Sequence, residues 1–171
     1  KVVEVFDVEL EGKRIPLGRV CSFGESNCDE VGHYMKNFTL ADLIEQTIDR
    51  LHLSDAIYVG NLDAPAKRVL IMAGEYGIRD WLRIAAAKGV DTYLTGTVSR
   101  ETATLSNELK LNYLCLDNYA MESLGMRRLM QLLSIDVPEI DFVFIESQHP
   151  WKRYVCPTVS SGIEGGMKRK A

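Results

Sequence analysis

The sequence predicts an α/β domain over residues 1–151: a mainly parallel sheet with flanking helices, preceded by a small antiparallel β segment. Three patterns carry that expectation. Before residue 35, apolar and charged residues alternate; after Thr39, apolar residues recur at helical spacing; from "KRVLIMAG" onward, short apolar runs alternate with amphipathic stretches. Strands and helices joined by connections this short favour right-handed parallel crossovers, with helices covering the sheet.

In the first zone, Val3, Val5 and Val8 mix with charged residues, Gly12 in "EGKR" supplies a turn, and "IPLGRVCSFG" resumes the extended pattern. "GESNCDEVGHY" reads as a long loop punctuated by Gly, Asn and Asp. Leu40, Leu43, Ile44, Thr47, Ile48 and Leu51 then form one helical stripe, with Thr39 and Asp42 in capping-box positions, Asp replacing the usual Glu. A short strand "AIYVG" follows. "KRVLIMAG", flanked by Pro65 and Gly74, reads as a strand buried on both faces. Helices over about 78–88, 99–110 and 119–134 lead in turn into strands "DTYLTG", "LNYLCLD" and "IDFVFIES". Residues 152–171 lose periodicity and read as an irregular or flexible C-terminal tail.

A chain of 171 residues suits a single domain with its own core. Its 20 Lys and Arg against 24 Asp and Glu give a net charge of −4, so no nucleic-acid partner is expected. The basic cluster Lys152, Arg153, Lys168, Arg169 and Lys170 reads as a solvated end. No apolar run approaches the roughly 20 residues that span a bilayer, so no membrane association is expected. The N-terminus has no signal-peptide pattern, and Cys21, Cys28, Cys115 and Cys156 form no CxxC pair. A reduced, cytoplasmic protein is expected, with Cys115 a small buried thiol.

Chemistry in such folds gathers at the carboxyl ends of the strands. Three such ends are readable: "MAGEYG" (72–77), "LTGTVS" (94–99) and "CLDNYAME" (115–122). Gly74 and Gly77 form either a tight turn or a phosphate-accepting loop at a helix N-terminus, although the pattern lacks the spacing of GxGxxG and the Lys of a P-loop. Thr97 and Thr104 offer only hydroxyls, and Ser99 is a natural N-cap. Asp117, Asn118 and Glu122 can be a cap with a favourable first-turn carboxylate, or oxygen ligands for a hard cation that would need further ligands from elsewhere. His33, His52 and His149 sit in a loop, at a helix end and near the tail, and no Ser-His-Asp or Cys-His arrangement emerges.

The order of these motifs resembles the Nif-three-like proteins, a family of dinuclear-metal, hexameric proteins known as GTP cyclohydrolase 1 type 2 homologues. The resemblance runs from about Val2 to Trp151. It is carried by "RVLIMAGEYGIRDWLRIAAAKGVDTYLTG" (68–96), "NELKLNYLCLDNYAMESLGMRRLMQLL" (107–133) and the closing "FIESQHPW". It covers only the second half of such proteins. Because the chain starts at Lys1 and lacks the family's paired-histidine first half, a fragment or a shortened member is expected.

The resemblance implies divalent metal ions, hydrolytic chemistry and a homohexamer. It also implies specific departures. Thr97 stands where the family has Glu after Thr-Gly, Thr104 where a histidine is usual, and Asp117-Asn118 where Gly-His is usual. Glu122 matches the family's ligand set, which makes Glu122 and then Asn118 the metal candidates. An amide oxygen binds divalent transition metals far more weakly than imidazole does, so a degenerate site that holds no ion tightly is expected. The competing expectations are a non-enzymatic oligomeric assembly or binding module, and a phosphate or nucleotide binder using the glycine turns.

Overall fold

A computed structural model of the chain describes residues 1–23 and 38–147. The loop centred on residues 24–37, with Cys28 and His33, and residues 148–171, with His149, Cys156 and the expected tail, lie outside the described residues. The elements are β1 (Val2–Leu10), β2 (Lys13–Ser22), α1 (Leu40–Leu51), β3 (Ile57–Val59), β4 (Arg68–Met72), α2 (Arg79–Ala87), β5 (Thr92–Thr95), α3 (Arg100–Leu109), β6 (Asn112–Cys115) and α4 (Asn118–Asp136). The six strands form one sheet in the order β1-β2-β4-β5-β6-β3.

The expected α/β class is observed, with the antiparallel segment in front. β1 and β2 form a hairpin that turns at Glu11 and Gly12, both at positive φ. The centre β4-β5-β6 is parallel, and antiparallel pairings flank it on both sides, β2 on β4 and β3 on β6, so the sheet is mixed.

Period-2 alternation along the central strands sends side chains into two cores. Leu70 and Met72, Tyr93, and Tyr113 and Cys115 face one side, where Leu82 and Ala85 of α2 and Leu105 of α3 cover them. Val69, Leu94 and Leu114 face the other, against Leu43 of α1, Phe38 and Ala66. Helices α2 and α3 thus cover the same face, as two successive right-handed crossovers require. The Thr39–Asp42 capping box forms as the sequence predicts, with Asp42 Oδ2 accepting from the Thr39 backbone N–H at 2.8 Å.

One expected strand is absent. "IDFVFIES" pairs with no other described strand, and Val143 and Ile145 are 79% and 85% exposed. The reason lies in the sheet. The position beside β6 is already occupied by β3, which pairs Ile57 with Cys115 and Val59 with Tyr113. Helix α4 also buries no residue fully. No helix among the described residues is long and apolar enough to cross a membrane.

Candidate functional site

The parallel strands β4, β5 and β6 end side by side at Met72, Thr95 and Cys115, and their following loops build the site. After β4 the chain turns at Gly74, whose φ of +99° is readily adopted only by glycine. The Gly74 carbonyl accepts from Thr95 Oγ1 at 3.1 Å and from the Gly96 N–H at 3.2 Å, which ties the first two strand ends together.

Two buried tyrosines fix the loops from below. Tyr93 Oη donates to the Tyr76 carbonyl at 2.7 Å, and Tyr113 Oη donates to the Thr97 carbonyl at 2.5 Å. The rings stack at 5.6 Å between centroids. Burial is the main cause that raises both phenols above the usual range, and Tyr113 is pushed up to about 12.

Gly77 N–H donates to Thr97 Oγ1 at 3.1 Å, and a Cβ at Gly77 would lie 2.8 Å from the Thr97 carbonyl oxygen and 2.9 Å from Tyr113 Oη. Close packing therefore requires this glycine, and its N–H is committed to Thr97. Ser99 caps α3, accepting from the Thr102 N–H at 3.2 Å.

The third strand end carries the residues that drew most interest. Asp117 caps α4, with Oδ1 accepting from the Ala120 N–H at 2.8 Å. Asn118, the next residue, lies against Gly96: a Cβ there would stand 2.9 Å from Asn118 Cγ. The amide oxygen of Asn118 is buried and has no hydrogen-bond partner among the described residues. One turn on, Glu122 is exposed and reaches back across the site, its Oε1 3.3 Å from where a Gly74 Cβ would be. Burial, with Asp117 nearby as a lesser cause, raises the Cys115 thiol.

Thr97, Asp117, Asn118 and Glu122 line one cleft of about 690 Å³, and Gly74 meets its Glu122 wall. Gly77 and Thr104 do not line it, and Thr104 is exposed on α3. The lining residues that the sequence did not point to include Glu75 after β4, and His52 and Asp55 between α1 and β3. Glu75 could have been noticed, since it sits inside the "MAGEYG" strand end. His52 and Asp55 arrive through the β3–β6 register, which sets Ile57 opposite Cys115 and so lays the preceding loop beside Asp117. Among the described residues, no three His, Cys, Asp or Glu side chains gather as a metal-holding group.

A mixed sheet with a parallel centre, helices on both faces and a polar cleft at the strand carboxyl ends defines an α/β protein with a cleft where folds of this class place their ligands. The Duf34/NIF3 (NGG1p interacting factor 3) family matches residues 4–150, and the chain belongs to that family. It is similar to the GTP cyclohydrolase 1 type 2 homolog of Yersinia pestis, with 28% identity over 113 residues, 65% of this chain and 42% of that protein. The chain thus spans well under half the length of this curated relative. Among solved structures, Staphylococcus aureus protein SA1388 superimposes with a TM-score of 0.64 at 17% identity, over 83% of this chain and 39% of that one. A Bacillus cereus protein related to NIF3 gives 0.53 at 21% identity, over 75% and 33%. At these identities the two structures establish the fold.

Proposed function

We propose that the cleft between the β4, β5 and β6 ends is a small-molecule binding site that works without a tightly held pair of metal ions. The reading rests chiefly on Asn118. The residue at this position sits at the start of α4, where an imidazole could reach into the cleft. The side chain present is an amide whose oxygen is buried beside Gly96. In a two-ion site, the ions would activate water and stabilise both the attacking and leaving oxygens. The donors available here are Glu122, one neutral amide, His52 and scattered carboxylates, and among the described residues no three of the acidic or imidazole groups gather, so they do not fit two transition-metal ions. The name of the Yersinia pestis relative supports a hydrolytic reading for that protein; for this chain it remains the alternative, dependent on residues other than those in the described cleft.

Charge favours a particular ligand. Asp55, Glu75, Asp117 and Glu122 line the cleft with His52, and among the described residues no Lys or Arg lines it. A phosphate about 4 Å from one unneutralised carboxylate meets a repulsion of about 1 kcal/mol in water, and about 4 kcal/mol where the surroundings are partly apolar. A neutral or cationic ligand with hydrogen-bond donors suits these acceptors better than a nucleoside polyphosphate. Elemental analysis of the purified 171-residue chain tests the reading. Far less than one equivalent of zinc, iron or manganese is expected, and calorimetry with GTP should give no binding heat. Near-stoichiometric metal surviving dialysis would overturn the proposal.

A further inference from the structure

Asn118 and Glu122 lie four residues apart on α4, so they share one face of the helix, the face turned to the strand ends. Asn118 meets Gly96, and Glu122 meets Gly74. These two glycines are themselves joined, the Gly96 N–H donating to the Gly74 carbonyl at 3.2 Å. An amide and a carboxylate therefore stand side by side above the bridge between the β4 and β5 ends.

Packing sets the orientation of the amide. Its Oδ1 is buried against Gly96 and has no hydrogen-bond partner among the described residues. Turning the amide over would bury the NH2 group there instead, leaving two unpaired donors in place of one acceptor. Oδ1 and Nδ2 branch from Cγ in different directions, so an oxygen held against Gly96 leaves Nδ2 on the open side, in the cleft that Asn118 lines. Nδ2 is not buried, and it too has no partner among the described residues. The neighbouring backbone donors are already committed, Gly96 N–H to Gly74 and Leu116 N–H to the Thr95 carbonyl at 3.0 Å. Asn118 thus offers the cleft a donor, and Glu122, one turn on, offers an acceptor.

We propose that Asn118 and Glu122 together recognise a carboxamide-type group, a carbonyl with an N–H on the same carbon. Nδ2 donates to the ligand's carbonyl oxygen, and the Glu122 carboxylate accepts from its N–H. The inference rests on the reading of the cleft as a small-molecule site and narrows it. The carboxylates Asp55, Glu75, Asp117 and Glu122 by themselves favour any ligand rich in donors. Asn118 adds the demand for an acceptor beside them. A plain amine leaves Nδ2 without a partner, and a ligand carboxylate sets its charge against Glu122. A carboxamide answers both groups at once, because its own donor and acceptor are adjacent.

The test uses two probes of the same shape, benzamide and benzamidine, which carry a carbonyl oxygen or an amidinium nitrogen at the same place. Each is titrated at millimolar concentration into the full 171-residue chain, while the Gly96 and Thr97 amides are followed by NMR. Both probes should shift these amides in the parent. Asn118→Ala should weaken benzamide at least about fivefold and change benzamidine by less than about twofold, the loss expected of one hydrogen bond. Glu122→Gln should weaken benzamidine more than benzamide, because only the amidinium loses an ion pair. A role for Asn118 in packing alone would move both probes equally, since their shapes match. Equal weakening of the two probes by Asn118→Ala, or a parent that binds benzamidine but not benzamide, would overturn the inference and leave the cleft a small-molecule site. If neither probe shifted these amides in the parent, the inference and the reading of the cleft would both fall.

Discussion

Gly96 is where the geometry of the cleft can be tested most directly, because it lets the start of α4 lie against the end of β5. Its backbone is not in the left-handed region, so alanine is conformationally acceptable there, and the cost of Gly96→Ala is steric. The added methyl would lie 2.9 Å from Asn118 Cγ and 3.0 Å from its Cβ, distances at which the neighbour must move. Asn118 is poorly able to move, because Asp117 caps the helix at 2.8 Å and β6 pairs in register just before it. Overpacking of this kind costs about 1–3 kcal/mol. With a urea m-value of about 2 kcal/mol/M, mid-range for a small domain, the unfolding midpoint should fall by roughly 0.5–1.5 M. Asn118→Ala alone should be close to neutral, because the lost packing is offset by removing a buried acceptor that has no partner. In the double variant the 2.9 Å contact disappears while the 3.0 Å contact remains, so most of the penalty should be relieved, with a coupling of about 1 kcal/mol or more. Additivity of the two single effects within about 0.5 kcal/mol would refute the packing assigned to this pair.

Tyr113→Phe should cost about 1–3 kcal/mol, because the Thr97 carbonyl loses its 2.5 Å donor. Native-state hydrogen exchange should also show reduced protection of the Gly77 amide, which bonds to Thr97 Oγ1; unchanged protection would count against the tyrosine as the anchor of both loops. Tyr93 and Tyr113 are raised in the folded state, so the native protein holds their protons more tightly than the unfolded chain does. Their contribution is complete below the unfolded pKa of about 10 and is lost as pH rises from there through about 12, the value for Tyr113. Urea midpoints measured across the alkaline range should fall in that window, and Tyr113→Phe should fall less steeply.

The interior of the fold was legible because it follows local rules. The capping box at Thr39, the two-sided apolar run of β4, and the helix–strand units from Arg79 to Cys115 each declare themselves within about a dozen residues. The miss at residues 140–147 had the opposite cause. The run is β-prone, but whether a strand forms depends on an open sheet edge, and β3 takes that edge through a long-range antiparallel pairing that only three residues announce. The same pairing hid half of the cleft. Asp117, Asn118, Glu122 and Thr97 were visible at strand ends, whereas His52 and Asp55 are contributed by the other side of β6. His52 looked like nothing more than a helix end, and it does terminate α1 at a φ of 53°, but that left-handed stop is also what delivers it to the cleft wall.

Most residues at the cleft already have structural work, which narrows what a ligand could depend on. Asp117 holds the first turn of α4, Thr97 receives Gly77 and Tyr113, and Gly74 and Gly96 are there for φ and for space. Each would be required if the cleft were always empty. Glu122 differs. It is exposed and makes no hydrogen bond or ion pair with any described residue, yet it lies across the glycine turn that joins the first two strand ends. It lies past the first turn of α4, which holds no acidic residue, so the helix dipole gives little account of a carboxylate here. Glu75 has the same character on the opposite loop, exposed and lining the same space. On the proposed reading, selectivity would rest on these two carboxylates, facing a cleft that no lysine or arginine lines among the described residues. That balance is what favours a donor-rich, neutral or cationic ligand over the phosphates that the glycine turns alone would suggest.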